Sequence, residues 1–88
     1  MKARVVIYSK PGCHLCDEAK EMIERITSEA GYAPGVNYSL EVINIEREPS
    51  LFESYKHDIP IILLNGLEIF RHRLEREKFL ALLKVALG

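Results

Sequence analysis

Cysteine and unbalanced charge are both scarce in this sequence. Its 88 residues hold two cysteines, and 12 Lys and Arg against 13 Asp and Glu leave a formal net charge of −1. Without an excess of either sign no long-range field draws the chain to nucleic acid or to an anionic bilayer, so neither is expected as a partner. Long apolar runs are missing too. Nothing approaches the roughly 20 residues of a membrane-spanning helix. Val5 to Tyr8, which follows the basic start Met1-Lys2-Ala3-Arg4, is too short for the core of a signal peptide. The expected location is therefore the cytoplasm. No repeat or low-complexity tract occurs. With 48% hydrophobic residues, a chain of this length is expected to fold as one domain over residues 1–88 and to act as a monomer.

What the sequence does contain is gathered in Ser9-Lys10-Pro11-Gly12-Cys13-His14-Leu15-Cys16, which carries both cysteines. So close together they cannot tie distant parts of a fold, and in a reducing compartment such a pair reads as redox or metal chemistry. Before it, Arg4-Val5-Val6-Ile7-Tyr8 is β-branched and apolar on both faces, as in a central strand covered on each side. Pro11 and Gly12 turn the chain. From Cys13 onward Leu15, Ala19, Met22, Ile23, Ile26 and Ala30 recur at spacings of three and four, the pattern of an amphipathic helix. Asp17 and Glu18 suit the positive end of its dipole, and Gly31 is placed to stop it.

After the loop Tyr32 to Asn37, Tyr38 to Ile45 reads as a second strand, which implies a parallel pair joined by the helix. Pro49 suits the first turn of a short helix through about Lys56, with Leu51, Phe52 and Tyr55 inward. Pro60 to Leu64 and Leu67 to Phe70 flank Asn65-Gly66, the signature of a hairpin with a two-residue turn. Phe79, Leu80, Leu83, Ala86 and Leu87 give a C-terminal amphipathic helix. The order β-α-β-(α)-β-β-α predicts an α/β fold, a four-stranded mixed sheet with helices on both faces, and at this length it resembles the thioredoxin-like arrangement.

The helix start places Cys13 at or near the N-cap, where unpaired backbone N–H groups and the dipole favour thiolate over thiol. Lys10, three residues earlier, adds a positive charge nearby. Cys13 is thus the expected nucleophile, and Cys16, one turn further in and more buried, the expected resolving thiol. The Cys13 thiolate attacks a substrate disulfide to give a mixed disulfide, and Cys16 then attacks Cys13 to release the reduced product. The expected partners are a disulfide-containing protein or glutathione. If a glutathione mixed disulfide is the substrate, free glutathione as co-substrate can do the release and Cys16 is dispensable. No bound cofactor or metal is expected.

Other uses of the pair rank lower. Zinc wants four ligands and would have to recruit two of His14, His57 and His72, whose spacing is not ligand-like. An iron–sulfur cluster shared between two chains, each supplying Cys13 with external thiols completing the set, is the alternative binding function. A non-catalytic thioredoxin-like interaction domain is a third reading. His14 either tunes the thiolate or is simply solvated. His57 and His72 read as surface residues. Arg71, His72, Arg73, Arg76 and Lys78 read as a solvated helix start, with an acidic partner or substrate carboxylate as the alternative. Pro60 is tolerated where it stands because it opens a strand. If the Ile59–Pro60 bond is cis, Ile59 turns its backbone toward Cys13 and offers N–H and C=O groups to an extended peptide.

On Tyr8 to Cys16 and on Ile59-Pro60, the chain resembles the glutaredoxin family of the thioredoxin superfamily, and in element order the resemblance spans nearly its whole length. It implies a cis bond before Pro60, and contacts from Lys10 and Ile59 to the glutathione backbone or carboxylate. Three features depart from the family pattern. His14 stands where proline usually follows the first cysteine. Phe70-Arg71-His72-Arg73-Leu74 replaces the Gly-Gly-x-Asp segment that holds the glutamyl end of glutathione. The loop Gly31 to Asn37 has no assigned role.

Overall fold

Strand β1 (Ala3–Ser9) is the hub of the sheet, as its two-faced apolar sequence requires. The computed structural model describes residues 2–88. After β1 come α1 (His14–Glu29), β2 (Tyr38–Asn44), a 3-10 turn over Ile45–Arg47, and α2 (Pro49–Tyr55). Strands β3 (Ile61–Leu64) and β4 (Leu67–Arg71) and helix α3 (Arg76–Leu87) complete the chain. The expected element order is the observed one. The sheet runs β2-β1-β3-β4, with β1 parallel to β2 and the pairs β1–β3 and β3–β4 antiparallel.

Alternation along the central strands builds two apolar layers. Val5 and Ile7 of β1 and Ile62 and Leu64 of β3 pack with Ala19, Ile23 and Ile26 of α1 and with Phe79 and Leu83 of α3. Tyr8, Ile61 and Leu63 belong to a second cluster, with Ile45, Cys16 and Ile59 and with Leu51, Phe52 and Tyr55 of α2. The fold is therefore α/β with helices on both sheet faces. Helix α1 stops as the sequence suggests. Gly31 takes φ +83°, and the Gly31 and Tyr32 N–H groups donate to the carbonyls of Ser28 and Thr27, closing a Schellman motif. Asn65 and Gly66 both have positive φ, 51° and 86°, the two-residue hairpin turn expected of Asn-Gly.

Some boundaries differ, for identifiable reasons. Leu15 and Met22, expected inside, are 48% and 36% exposed. The buried stripe of α1 runs instead through Cys16, Ala19, Ile23, Ile26 and Thr27, leaving Leu15 and Met22 on its flank. Ile45 leaves β2 because the Asn44 side chain accepts the Glu46 N–H and starts the 3-10 turn. Only Asp17, not Glu18, falls in the first turn of α1. β1 gains Ala3 and Ser9, β3 starts after Pro60, and α2 ends at Tyr55 rather than Lys56.

β4 also extends through Arg71 and carries a bulge: Ile62 pairs with Phe70 but Leu63 pairs with Glu68, so Ile69 has no partner. In a regular strand residues three apart lie on opposite faces. The extra residue puts Glu68 and Arg71 on the same face, opposite Leu63 and Ile61 and toward α2.

Thr27 and Tyr38 show how the core treats a polar group. The fully buried Tyr38 hydroxyl lies 2.8 Å from Thr27 Oγ1, which in turn donates to the Ile23 carbonyl at 2.8 Å. Thr27→Val strands the tyrosine hydroxyl and should cost about 1–3 kcal/mol. Tyr38→Phe leaves the threonine satisfied and should cost about 1 kcal/mol. Urea denaturation of both variants checks the order; an equal or larger loss in Tyr38→Phe contradicts it.

Candidate active site

The segment that joins β1 to α1 presents the cysteines. Pro11 and Gly12 form a turn closed by the Cys13 N–H donating to the Lys10 carbonyl at 3.3 Å, with Gly12 at φ +80°. Pro followed by a residue with positive φ is the sequence of a type II turn, and glycine takes that φ without strain. Cys13 is the N-cap of α1 in extended conformation, φ −87° and ψ 102°, and its carbonyl accepts the Asp17 N–H. The Cys16 N–H donates to Cys13 Sγ at 3.2 Å. Sulfur here does what a serine or aspartate oxygen does at other helix starts, and this hydrogen bond and the dipole both favour a charged sulfur.

Cys13 and Cys16 are joined as a disulfide with their Cα atoms 5.3 Å apart. Cys13 is half-buried and Cys16 is 3% exposed, set among Ile45, Ile59 and Ile61. Cys13 is the more exposed of the two, and Cys16 is walled by isoleucines. The Ile59–Pro60 bond is cis. Ile59 shares the apolar cluster of Cys16, against which Cys13 packs. Among the described residues, the N–H and C=O of Ile59 have no backbone partner. Ile59, Cys13 and Cys16 thus meet in one cluster, and Pro60 follows Ile59 across the cis bond.

Lys10 and His14 are placed differently. Lys10 lies beside a shallow groove of about 240 Å³ with Ser9, Pro11, Val42 and Asn44. His14 is the exposed first residue of α1. A second groove of about 250 Å³ separates α1 from residues 72–74 and is lined by Leu15, Ala19, Met22 and Leu74, which accounts for the exposure of Leu15 and Met22. Among the described residues no three His, Cys, Asp or Glu side chains are grouped to hold a metal ion.

Part of the neighbourhood had no sequence signal. The expected cluster of cations after β4 is largely neutralised by carboxylates: Arg76 pairs with Glu29, and Lys78 with Glu75 at 3.0 Å. Arg71 places Nε and Nη2 on the two oxygens of Glu68, each at 2.8 Å, and Nη1 on Asp58 Oδ2 at 2.9 Å. Hydrogen bonding by Arg71 holds the Glu68 carboxyl below the usual carboxylate range, and the same contact raises Arg71. His72 takes a left-handed φ of 68°, and its N–H donates to the Pro60 carbonyl at 2.9 Å. Glu68 and Arg71 are three apart on a strand, a spacing that predicts opposite faces until the bulge is known.

A family model described as "Glutaredoxin-like domain (DUF836)" matches residues 4–84. A curated relative, "Glutaredoxin-like protein YDR286C homolog" of Dictyostelium discoideum, is 33% identical over 73 residues, 81% of this chain. The match takes in 66% of that relative's length. Among solved structures, protein Ne2328 of Nitrosomonas europaea is similar at TM-score 0.72 and 24% identity, over 91% of this chain and 89% of that one. Protein XcR50 of X. campestris is similar at TM-score 0.66 and 21% identity, over 92% and 96%. A structure titled "Structure of a malarial protein" is similar at TM-score 0.66 and 18% identity over the whole of both chains. These structures share the fold.

Two outcomes are expected at this site. Gly12→Ala meets no neighbouring atom but must adopt φ +80°, so it should cost about 1 kcal/mol from backbone strain alone, read by denaturation. Because the folded Glu68 carboxyl sits below its unfolded value, its contribution is present above the ordinary carboxylate range and is lost as pH falls through the folded value. Glu68→Gln should therefore lower the melting temperature at pH 7, with the difference closing in acid. A pH-independent difference contradicts this sign.

Proposed function

Since the chain belongs to the glutaredoxin-like family, we propose that it is a thiol–disulfide oxidoreductase in which Cys13 attacks and Cys16 resolves. The carrying observation is Cys13 at the N-cap of α1, its sulfur accepting the Cys16 N–H while the partner sulfur lies buried within bonding reach. In the reduced protein the Cys13 thiolate displaces one sulfur of the substrate disulfide; that sulfur leaves as a thiolate and takes a proton from water. Cys16, losing its proton, attacks Cys13 Sγ, and the second substrate sulfur leaves. The substrate gains two electrons and the protein is left as the Cys13–Cys16 disulfide. A thiol reductant, glutathione or a protein dithiol, returns it to the dithiol form.

The substrate in this reading is a protein disulfide or a glutathione mixed disulfide. Ile59 supplies its backbone N–H and C=O to the substrate chain, beside Pro60, and Lys10 and His14 border the place where it lies. The protein acts as a monomer in the cytoplasm with no bound cofactor. Among the described residues, no helix is long and apolar enough to cross a membrane.

Cys13→Ser should bring disulfide reduction to background, whereas Cys16→Ser should accumulate a mixed disulfide on Cys13, visible by mass spectrometry. Incubating the Cys16→Ser protein with oxidised glutathione separates the substrates: an adduct of one glutathione assigns it as co-substrate, and no adduct restricts the reaction to protein disulfides. Reduction that survives Cys13→Ser contradicts the mechanism.

A further inference from the structure

The segment Asp58-Ile59-Pro60 is held on both sides of Ile59, by groups the reaction itself does not use. On one side Asp58 accepts from Arg71 Nη1 at 2.9 Å and lies 3.4 Å from His72 Nε2, while its own N–H donates to the Tyr55 carbonyl at 2.8 Å. On the other side the Pro60 carbonyl accepts the His72 N–H. Arg71 is itself fixed by its fork on Glu68, and its guanidinium stands 5.5 Å from the Tyr55 ring, which packs against Tyr8 at 5.2 Å. Between these anchors the Ile59 side chain is buried beside Cys16, and among the described residues its backbone N–H and C=O have no backbone partner. The ends are tied and the side chain is buried, with the Ile59 backbone outside the hydrogen-bonded ladder.

We infer that Arg71 is a positioning residue for bound substrate: anchored on Glu68, it holds Asp58 and thereby fixes the Ile59 backbone where a peptide-chain disulfide pairs with it. This rests on the oxidoreductase reading above and on its pairing of the substrate chain with Ile59. Exposed ion pairs add little to global stability, but a forked arginine fixes direction as well as charge. Weakening a backbone hydrogen bond to the bound peptide costs up to about 1.5 kcal/mol, about tenfold in binding. A small disulfide without amides makes no use of the Ile59 backbone and is much less sensitive to its placement.

The test compares a peptide mixed disulfide with bis(2-hydroxyethyl) disulfide in the full chain, for Arg71→Ala, Asp58→Asn and the double variant. Each single variant should raise KM for the peptide about tenfold more than for the small disulfide, with kcat changing little. The double variant should be no worse than either single, because the two residues act as one unit. The variants change charge in opposite directions. If Arg71 instead contacted substrate charge directly, Arg71→Ala would weaken peptide binding and Asp58→Asn would not, and that outcome overturns the inference. Equal losses on both disulfides, or none, overturn it too. If wild type reduces both disulfides and the variants keep its ratio, only this inference falls. If wild type reduces neither, the oxidoreductase reading falls with it. Should Arg71→Ala fail to fold, Asp58→Asn alone decides.

Discussion

A hydrogen bond from the Cys16 N–H to Cys13 Sγ is the contact on which the site depends. It exists because the chain leaves a central strand, turns through Pro11-Gly12, and enters a helix with cysteine as the first cap. Each part supports the next. Burial of β1 on both faces fixes where the strand ends. The turn fixes the direction in which α1 starts, and the start of α1 fixes which backbone N–H groups face the sulfur. A helix one residue longer or shorter at its N-terminus would leave the sulfur either inside the first turn or beyond reach of it. The same helix carries Cys16 into an apolar pocket, so the two sulfurs differ in access although they are three residues apart. Asymmetry of that kind separates an attacking thiol from a resolving one.

The second constraint comes from the far edge of the sheet. The bulge at Ile69 rotates Arg71 onto the face where α2 and the segment before Pro60 lie. Without it, Glu68 and Arg71 would project to opposite faces and neither fork nor bridge would form. One unpaired residue on an edge strand thus reaches the dithiol through Arg71, Asp58 and Ile59. His72 accepts a left-handed φ, and it is held there in part by the Pro60 carbonyl.

Most of the fold was legible in the sequence. Strand β1, the stop of α1 at Gly31, the Asn65-Gly66 hairpin and the placing of Cys13 at a helix start all follow from local chemistry, because each is decided by a few neighbouring residues. Leu15 and Met22 were misread because helical spacing alone does not say which of two adjacent stripes meets the sheet; Thr27, polar by type, takes the inner position through its bonds to Ile23 and Tyr38. The Arg71 network was illegible for a different reason. It depends on a bulge, and a bulge is a property of strand pairing, which no single strand contains. The cations after β4 likewise read as a patch when viewed alone, whereas the carboxylates that neutralise them come from α1, from β4 and from the segment before Pro60.

The helix start favours the thiolate of Cys13 over its thiol, and a pH titration of that thiol measures the effect. In the Cys16→Ser protein, Cys13 is the single cysteine, and the ultraviolet absorbance of the thiolate follows its ionisation alone. Titration well below the ordinary cysteine value of about 8.5 is the predicted result. Titration at or above that value would contradict it.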